Sequence, residues 1–255
     1  MVITGAGISS RSGIPTYRDN SGLWTHRQPI QHQAFIDNLA QRQRYWSRSA
    51  IGWPHIAQAK PNPAHLALVN LERAGKINCL LTQNVDRLHQ QAGHKNVIDL
   101  HGRLDQVICL QCGLMEKRAT VQQRIIDQNP FITQQPGHLA PDGDADIPDK
   151  DIDKMSCPVC QACNGILMPD VVFFGGTVPK PRVESAMQAL QAADALLVIG
   201  SSLMVYSSFR FCKAANERAM PIAAINQGKT RADDLFQCKV EEDCCDALCF
   251  LEKNA

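Results

Sequence analysis

Short apolar, β-branched runs bounded by turn residues alternate along this chain with stretches whose apolar residues recur at helical spacing. Six runs read as strands: Val2-Ile3, Ile77 to Thr82, Val97 to Leu100, Val171 to Phe174, Ala195 to Ile199 and Pro221 to Ile225. They are continuous rather than alternating in polarity, as strands covered on both faces must be. The segments between them predict helices over Ile36 to Ser47, Val85 to Ala92, Val183 to Ala192 and Tyr206 to Ala219. A further helix is well punctuated: Asn62 caps it, Pro63 takes its first turn, Leu66, Val69 and Leu71 supply an apolar face, and Gly75 ends it. Strand-helix-strand order throughout predicts an α/β fold with a Rossmann-like, doubly wound parallel sheet.

Two stretches break that rhythm, and the 255 residues suffice for one large core with a small satellite. The expected division is a discontinuous sheet domain over 1–19, 61–103 and 170–255, a helical insertion over 20–60, and a module over 104–169 with two cysteine pairs and the acidic loop Ala140 to Asp153. The two insertions are expected to build the smaller domain together.

Charge excludes several classes. With 26 basic against 25 acidic side chains and no Lys/Arg run, there is no electrostatic footprint for nucleic acid. No apolar run approaches the roughly 18 residues that cross a bilayer. The expectation is a soluble monomer with neither nucleic acid nor membrane as partner. No leader pattern precedes Gly5, which predicts a cytoplasmic protein if bacterial, and a mitochondrial matrix location only if a presequence is missing from this chain. In a reducing compartment, 11 cysteines read as thiols and metal ligands rather than disulfides.

Gly5-Ala6-Gly7, followed by Ile8 and Ser9, ends a strand as a phosphate-binding turn does. Ser10 replaces the third glycine of the dinucleotide fingerprint, and no acidic residue follows about 20 positions on to hold a ribose, so an ordinary hydride-transferring dehydrogenase is disfavoured. Cys109-x-x-Cys112 and Cys160-x-x-Cys163, separated by 47 residues, supply four thiolates for a closed, structural zinc site with no open position for water. Cys157 leaves the register of the second pair open.

Leu81-Thr-Gln83-Asn84-Val85-Asp86-Arg-Leu-His89 puts amides and a carboxylate where a strand becomes a helix, the edge at which open α/β sheets bind ligands. His101-Gly102 ends the next strand, where a neutral imidazole can act as a general base. Gly200-Ser201-Ser202 and Asn226-Gln227-Gly228 end two more strands. One composite site explains these ends better than separate coincidences.

The ordered set GAGIS (5–9), SGIPTYR (12–18), TQNVDRLH (82–89), HG (101–102), the two CxxC pairs, PDVVFFG (169–175), GSSL (200–203) and INQG (225–228) resembles the sirtuins, NAD-dependent protein deacylases, across essentially the whole chain. Pro29-Ile-Gln-His32, Arg44-Tyr-Trp46, Gly52-Trp-Pro54, Pro61-Asn-Pro-Ala-His65 and Ala140-Pro-Asp-Gly-Asp144 resemble the class II branch, which contains a mitochondrial lipoamidase and ADP-ribosyltransferase.

The resemblance implies that NAD lies on the strand ends. Its pyrophosphate would rest on Ala6 and Gly7, and its adenosine near Gly200, Ser201 and Asn226 under the backbone of Cys245, with Cys244 as the other register. Gln83, Asn84 and Asp86 would hold the nicotinamide and its ribose, and Tyr17 and Arg18 would belong to a mobile cofactor loop. The acyl oxygen of a modified lysine would displace nicotinamide to give an imidate. His101 would then take a proton from a ribose hydroxyl that attacks it, leaving free lysine and O-acyl-ADP-ribose. Acylated protein lysines would add as a strand beside Val172, Phe173, Phe174 and Gly175 and beside Met204, Val205 and Tyr206. Thr16 departs from the aspartate sirtuins often carry, and Met1-Val-Ile3 is a short first strand, which predicts a weak point in the core.

Tyr45-x-x-Arg48 puts a phenol and a guanidinium on one helix face and resembles the pair with which the desuccinylase branch reads acidic acyl chains. Its alternative is a solvated face. The expectation is a preference for carboxylated, branched or lipoyl groups over acetyl. A mono-ADP-ribosyltransferase keeps the same site; a zinc-stabilised NAD-sensing module without turnover is the reading from another class. Calcium at Asp142, Asp144 and Asp146 is disfavoured by Ile147, Pro148 and Asp153, where a calcium loop needs glycine and glutamate. A flexible loop near the acyl channel is the alternative.

Overall fold

The structure, a computed structural model, describes residues 1–19, 21, 23–24, 29–134, 138–146 and 152–249. The chain divides into two compact units, Met1–His26 with Ala59–His101 and Val178–Ala255, and Arg27–Gln58 with Gly102–Thr177. Of the two stretches that interrupt the strand-helix rhythm, 104–169 and the 27–58 part of the other lie in the second unit, while 20–26 and 59–60 fall in the first. Residues 170–177, expected with the sheet domain, lie in the second unit as well.

In the first unit six strands form one parallel sheet, in the order Cys238–Val240, Ile222–Ile225, Leu196–Ile199, Val2–Thr4, Leu80–Thr82, Val97–Asp99. Numbered along the chain this is 6-5-4-1-2-3, the doubly wound order in which strand direction of travel reverses between the first and fourth strands. Val2–Thr4 sits in the middle of the sheet and is buried throughout, with Ile3 wholly inaccessible. It is therefore a central strand and not an edge. Val2 and Leu80 pack with Ile8, Leu68 and Ile199 in the core on one face.

The helix Pro63–Arg73 starts where its signals say: the Asn62 side chain accepts from the amides of Ala64 and His65, and Pro63 occupies the first turn. Its buried face is Ala64, His65, Ala67, Leu68 and Val69, so Leu66, expected inward, is 47% exposed. The helix expected from Val85 begins at Leu88, because Arg87 has a left-handed φ of 68° and Asp86 Oδ1 caps the Leu88 amide.

The run Val171–Phe174 does not join the parallel sheet. Leu167–Val171 pairs antiparallel with Gly102–Cys109, which pairs in turn with Met115–Lys117. Continuous apolar character shows that a strand is covered, not which neighbour covers it. The sixth parallel strand is Cys238–Val240, a half-exposed edge strand with Lys239 at its centre. The helix expected over Ile36 to Ser47 is two helices, His32–Asp37 and the 20-residue Leu39–Gln58, which continues through Pro54. Phe35, Tyr45, Trp46, Val107, Val121, Ile125 and Leu167 form the core of this unit. Part of the acidic stretch is a hairpin, His138–Ala140 against Asp144–Asp146. Ile147 and Pro148 lie outside the described residues. No helix among the described residues is long and apolar enough to cross a membrane.

Candidate functional site

The topological switch point lies between Val2–Thr4 and Leu196–Ile199, and both strands end there in glycine. Gly5 donates to the Ile199 carbonyl at 3.1 Å and Gly7 to the Gly200 carbonyl at 2.8 Å. A Cβ on Gly7 would stand 2.9 Å from Gly200 Cα, and one on Gly200, whose φ is +59°, only 2.4 Å from the Ile8 nitrogen. Only bare backbone fits this approach, which leaves the strand ends open for a ligand. The turn leads into a 3-10 helix, Ala6–Ser12. Because the Gly7 N–H is taken by Gly200, the pyrophosphate cradle expected on Ala6 and Gly7 has one amide fewer than the sequence suggests.

Gln83, Asn84 and Asp86 leave the next strand and turn toward the same loop. Asn84 Nδ2 donates to the Gly5 carbonyl and to Ser9 Oγ, both at 3.0 Å, and its amide donates to Thr82 Oγ1 at 3.1 Å. Its Oδ1 has no hydrogen bond among the described residues. Ser9 Oγ donates to Asp86 Oδ2 at 2.7 Å. Burial pushes the Asp86 carboxyl up from its ordinary value, opposed by the Leu88 amide and the Ser9 hydroxyl. Gln83 Nε2 donates to Ser201 Oγ at 2.7 Å, so the fourth strand end is fixed to the second. Val85 is buried.

His101 Nδ1 lies 3.2 Å from the Gln83 carbonyl and Nε2 lies 2.8 Å from Ser207 Oγ. A carbonyl can only accept, so the neutral ring carries its proton on Nδ1 and presents Nε2 as the base. Burial lowers the imidazole to about 4, against the opposing pull of the Gln83 carbonyl. The ring is thus neutral at physiological pH. Sequence reasoning missed Ser207, which is 106 positions away along the chain.

The remaining expected contacts are distributed. Asn226 Nδ2 donates to the carbonyls of Gln227, at 2.8 Å, and Gly228, at 3.3 Å. Ser201 is buried and Ser202 half-buried. The Cys245 amide is taken by Asp243 Oδ1 at 2.9 Å. Tyr17 meets Trp24 edge-on, with Arg18 stacked over the same indole at 4.2 Å, and Thr16 Oγ1 donates to the Arg18 carbonyl. Met204, Val205 and Tyr206 belong to the first unit, at the start of the helix Tyr206–Glu217.

Val172, Phe173, Phe174 and Gly175 belong to the second unit, where His32 already donates to the Phe174 carbonyl at 2.8 Å. Tyr45 is buried edge-on against Phe35, Trp46 and Phe173, and burial pushes its phenol up to about 12. Arg48 Nε is bonded to Asp144 Oδ1 at 2.8 Å and to the Ala145 carbonyl at 3.0 Å. The solvated-face alternative for this pair does not hold, since both are over 90% buried.

In the same unit the sulfurs of Cys109, Cys112, Cys160 and Cys163 all lie within 4.8 Å of one another, with Cys109 to Cys163 at 3.5 Å and Cys112 to Cys160 at 3.7 Å. Zinc–thiolate bonds of about 2.3 Å in a tetrahedron put sulfurs roughly 3.8 Å apart, so the donor set fits zinc. Cys157 stands apart, packed against the core, and its thiol is pushed up to about 11 by burial.

The Sir2 family profile matches residues 5–207. The "NAD-dependent protein deacetylase 2" of Bradyrhizobium diazoefficiens is 54% identical over 98% of this chain and 92% of its own. The mitochondrial "NAD-dependent protein lipoamidase sirtuin-4" of Bos taurus is 46% identical over 97% of this chain and 80% of its own. A solved Sir2 complex with a p53 peptide and NAD+ superposes with a TM-score of 0.79 at 29% identity, covering 99% of this chain and 91% of that one.

Proposed function

The chain belongs to the Sir2 family and is an NAD-dependent protein deacylase, and from that premise we propose which residues carry the reaction and which acyl groups it prefers. NAD supplies a ribose carbon from which nicotinamide departs and to which an acyl-lysine oxygen adds. Asn84 and Asp86 orient that ribose. Asn84 is supported in this role by an Oδ1 with no hydrogen bond among the described residues, while its Nδ2 is anchored twice. Gly5, Gly7 and Gly200 keep side chains out of the pyrophosphate path. Ser201, Ser202, Asn226, Gln227, Gly228 and the Cys245 backbone surround the adenosine, and Tyr17 and Arg18 close from the cofactor loop.

The observation that carries the mechanism is the His101 hydrogen-bond pair. With Nδ1–H committed to a carbonyl, Nε2 is the only basic atom of the ring, and Ser207 marks the direction from which it is approached. His101 takes the proton of a ribose hydroxyl there, making that oxygen the acceptor of the acyl group. The four cysteines hold a structural zinc that takes no part in this chemistry.

The preferred acyl groups are carboxylated, branched or lipoyl chains. Supporting this is the Tyr45-x-x-Arg48 spacing, which puts a phenol and a guanidinium on one face of the helix Leu39–Gln58. A panel of acetyl-, succinyl-, glutaryl-, methylglutaryl- and lipoyl-lysine peptides of one sequence tests it. The larger groups are expected to give the higher kcat/KM; acetyl outrunning all of them would overturn the preference. An Arg48→Ala variant matching wild type on every acidic group would remove Arg48 from the acyl channel.

A further inference from the structure

The helix Tyr206–Glu217 opens with two aromatic rings and an arginine that the deacylation chemistry does not use. Tyr206 is 53% exposed, and its ring meets that of Phe209 edge-on at 6.5 Å. Two guanidinium groups gather on this pair. The Arg210 guanidinium carbon lies 5.3 Å from the centre of the Tyr206 ring. That of Arg231, which comes from the loop after the strand Ile222–Ile225, lies 5.9 Å from the same ring and 4.6 Å from that of Phe209. Arg231 is also tied to the segment before the helix: its amide donates to the Ser202 carbonyl at 2.9 Å and its Nη1 to the Met204 carbonyl at 3.1 Å. Among the described residues no carboxylate pairs with either arginine, and the Arg210 Nε–H, closed off from solvent, has no hydrogen-bond partner. Of the acids near Arg231 in the chain, Asp233 is committed to Thr230 and Lys239, and Asp234 pairs with neither arginine. Glu217, the one acid of the helix, lies two turns beyond Arg210, whereas Lys213 is one turn away. All of these residues belong to the first unit.

Two like charges on one ring repel each other, and attraction to the ring offsets only part of that. In a chain whose formal charge is +1, a pair of cations with no acid of its own is a local excess and not a background property. The group that would relieve it is a carboxylate, and guanidinium donors already held on a ring lose little further freedom in meeting one. An exposed tyrosine beside arginine is moreover the residue combination on which protein contacts concentrate their energy. The position gives the partner. Met204, Val205 and Tyr206 form the segment beside which the substrate backbone is expected to add as a strand, and Arg231 is bonded to the first of them. A strand lying there would bring every second side chain to the same side, within reach of these cations.

We propose that Tyr206, Arg210 and Arg231 form a recognition surface for an acidic side chain, aspartate or glutamate, that flanks the acyl-lysine in the protein substrate. This rests on the reading that substrate backbone lies beside Met204, Val205 and Tyr206, and it adds side-chain selection to a strand otherwise held through its main chain. Arg231 has a second task in holding the Met204 carbonyl. Arg210 makes no hydrogen bond among the described residues, so its charge can be changed without removing a tether. A lysine at the selected position would meet two like charges and be rejected.

The test uses acyl-lysine peptides of one sequence with Glu, Ala or Lys placed in turn at each position flanking the lysine, assayed with NAD on wild type and on Arg210→Glu. At one flanking position wild type is expected to favour Glu over Ala by roughly 3- to 10-fold in kcat/KM, carried by KM and shrinking at high salt, with Lys the poorest. Arg210→Glu is expected to invert that order, with the Ala peptide as the reference for each protein, and loss of packing alone cannot produce an inversion. Arg210→Gln should level the three peptides further than it changes turnover of the Ala peptide. Flank charge without effect at every position, or a Glu preference that Arg210→Glu leaves unmoved, overturns the proposal. N-methylation of the peptide backbone next to the acyl-lysine separates the strand reading from the charge reading. Turnover slowed by methylation but indifferent to charge keeps the added strand and refutes the arginine surface. A charge preference that follows Arg210 with methylation harmless keeps the surface and refutes the strand.

Discussion

Asn62 does two separable jobs, and separating them tests how the glycine loop is held. Its Oδ1 caps the helix Pro63–Arg73 by accepting from the amides of Ala64 and His65, while its Nδ2 donates to the Ile8 carbonyl at 2.7 Å, with both residues buried. Serine keeps a capping oxygen but is too short to reach Ile8, whereas alanine loses both. Leaving the Ile8 carbonyl buried without a donor costs about 1–3 kcal/mol, and losing the cap adds about 1 kcal/mol. Asn62→Ser should therefore cost about 2 kcal/mol and Asn62→Ala about 3 kcal/mol. At about 2–4 °C per kcal/mol for a chain of this size, calorimetric melting should drop by about 4–8 °C and 6–12 °C respectively. Both variants should raise KM for NAD by a similar factor, because the Ile8 tether is lost in each. A serine variant that melts with wild type, or an alanine variant no worse than serine, would refute the division of labour.

Other outcomes follow from the geometry of each unit. Wild type should carry one zinc per chain by elemental analysis, and Cys109→Ala should lose it together with the near-ultraviolet signal of the Trp46 and Trp53 environment, since both indoles belong to the same unit as the cysteines. The His65 and His89 rings lie 4.8 Å apart, tilted by 54°, and burial lowers His65 to about 4 and His89 well below its ordinary value. The unfolded chain then binds more protons than the native one below about pH 6.5, so stability is complete above that pH and falls as pH drops toward 4. Denaturant titrations should show a loss of about 2 kcal/mol from His65 between pH 7 and pH 5, with a further loss in the same direction from His89; flat stability over that range would refute the assignment. Because burial lowers His101 to about 4, kcat/KM should not halve near pH 6.5, where an unperturbed imidazole titrates.

The sequence declares the parallel sheet because strands covered on both faces must be apolar at every position, and five of the six expected runs join it. Cys238–Val240 escapes the same reasoning: an edge strand needs only one covered face, and Lys239 at its centre hides the pattern. Val171–Phe174 misleads for the opposite reason, being apolar without being parallel. At the site, Gly5, Gly7, Asn84, Asp86 and His101 are readable because strand ends and glycine punctuate the chain locally. The Ser207 hydroxyl against His101, and the Thr4–Thr82 hydroxyl pair that receives the Asn84 amide, join residues far apart in sequence and leave no local trace. Arg118, between Lys117 and Ala119 in a charged segment, reads as a surface arginine, and only the packing of Trp46 and Trp53 around it shows otherwise.

The central claim is that this chain moves an acyl group from lysine to ADP-ribose using His101 as the base. Mass spectrometry of the products from NAD and an acyl-lysine peptide tests it most directly, run in parallel on wild type and His101→Tyr. Wild type is expected to yield deacylated peptide, nicotinamide and O-acyl-ADP-ribose in equal amounts, and His101→Tyr to yield no deacylated peptide while remaining folded. ADP-ribosylated protein without O-acyl-ADP-ribose, unchanged NAD, or full deacylation by the His101 variant would contradict it.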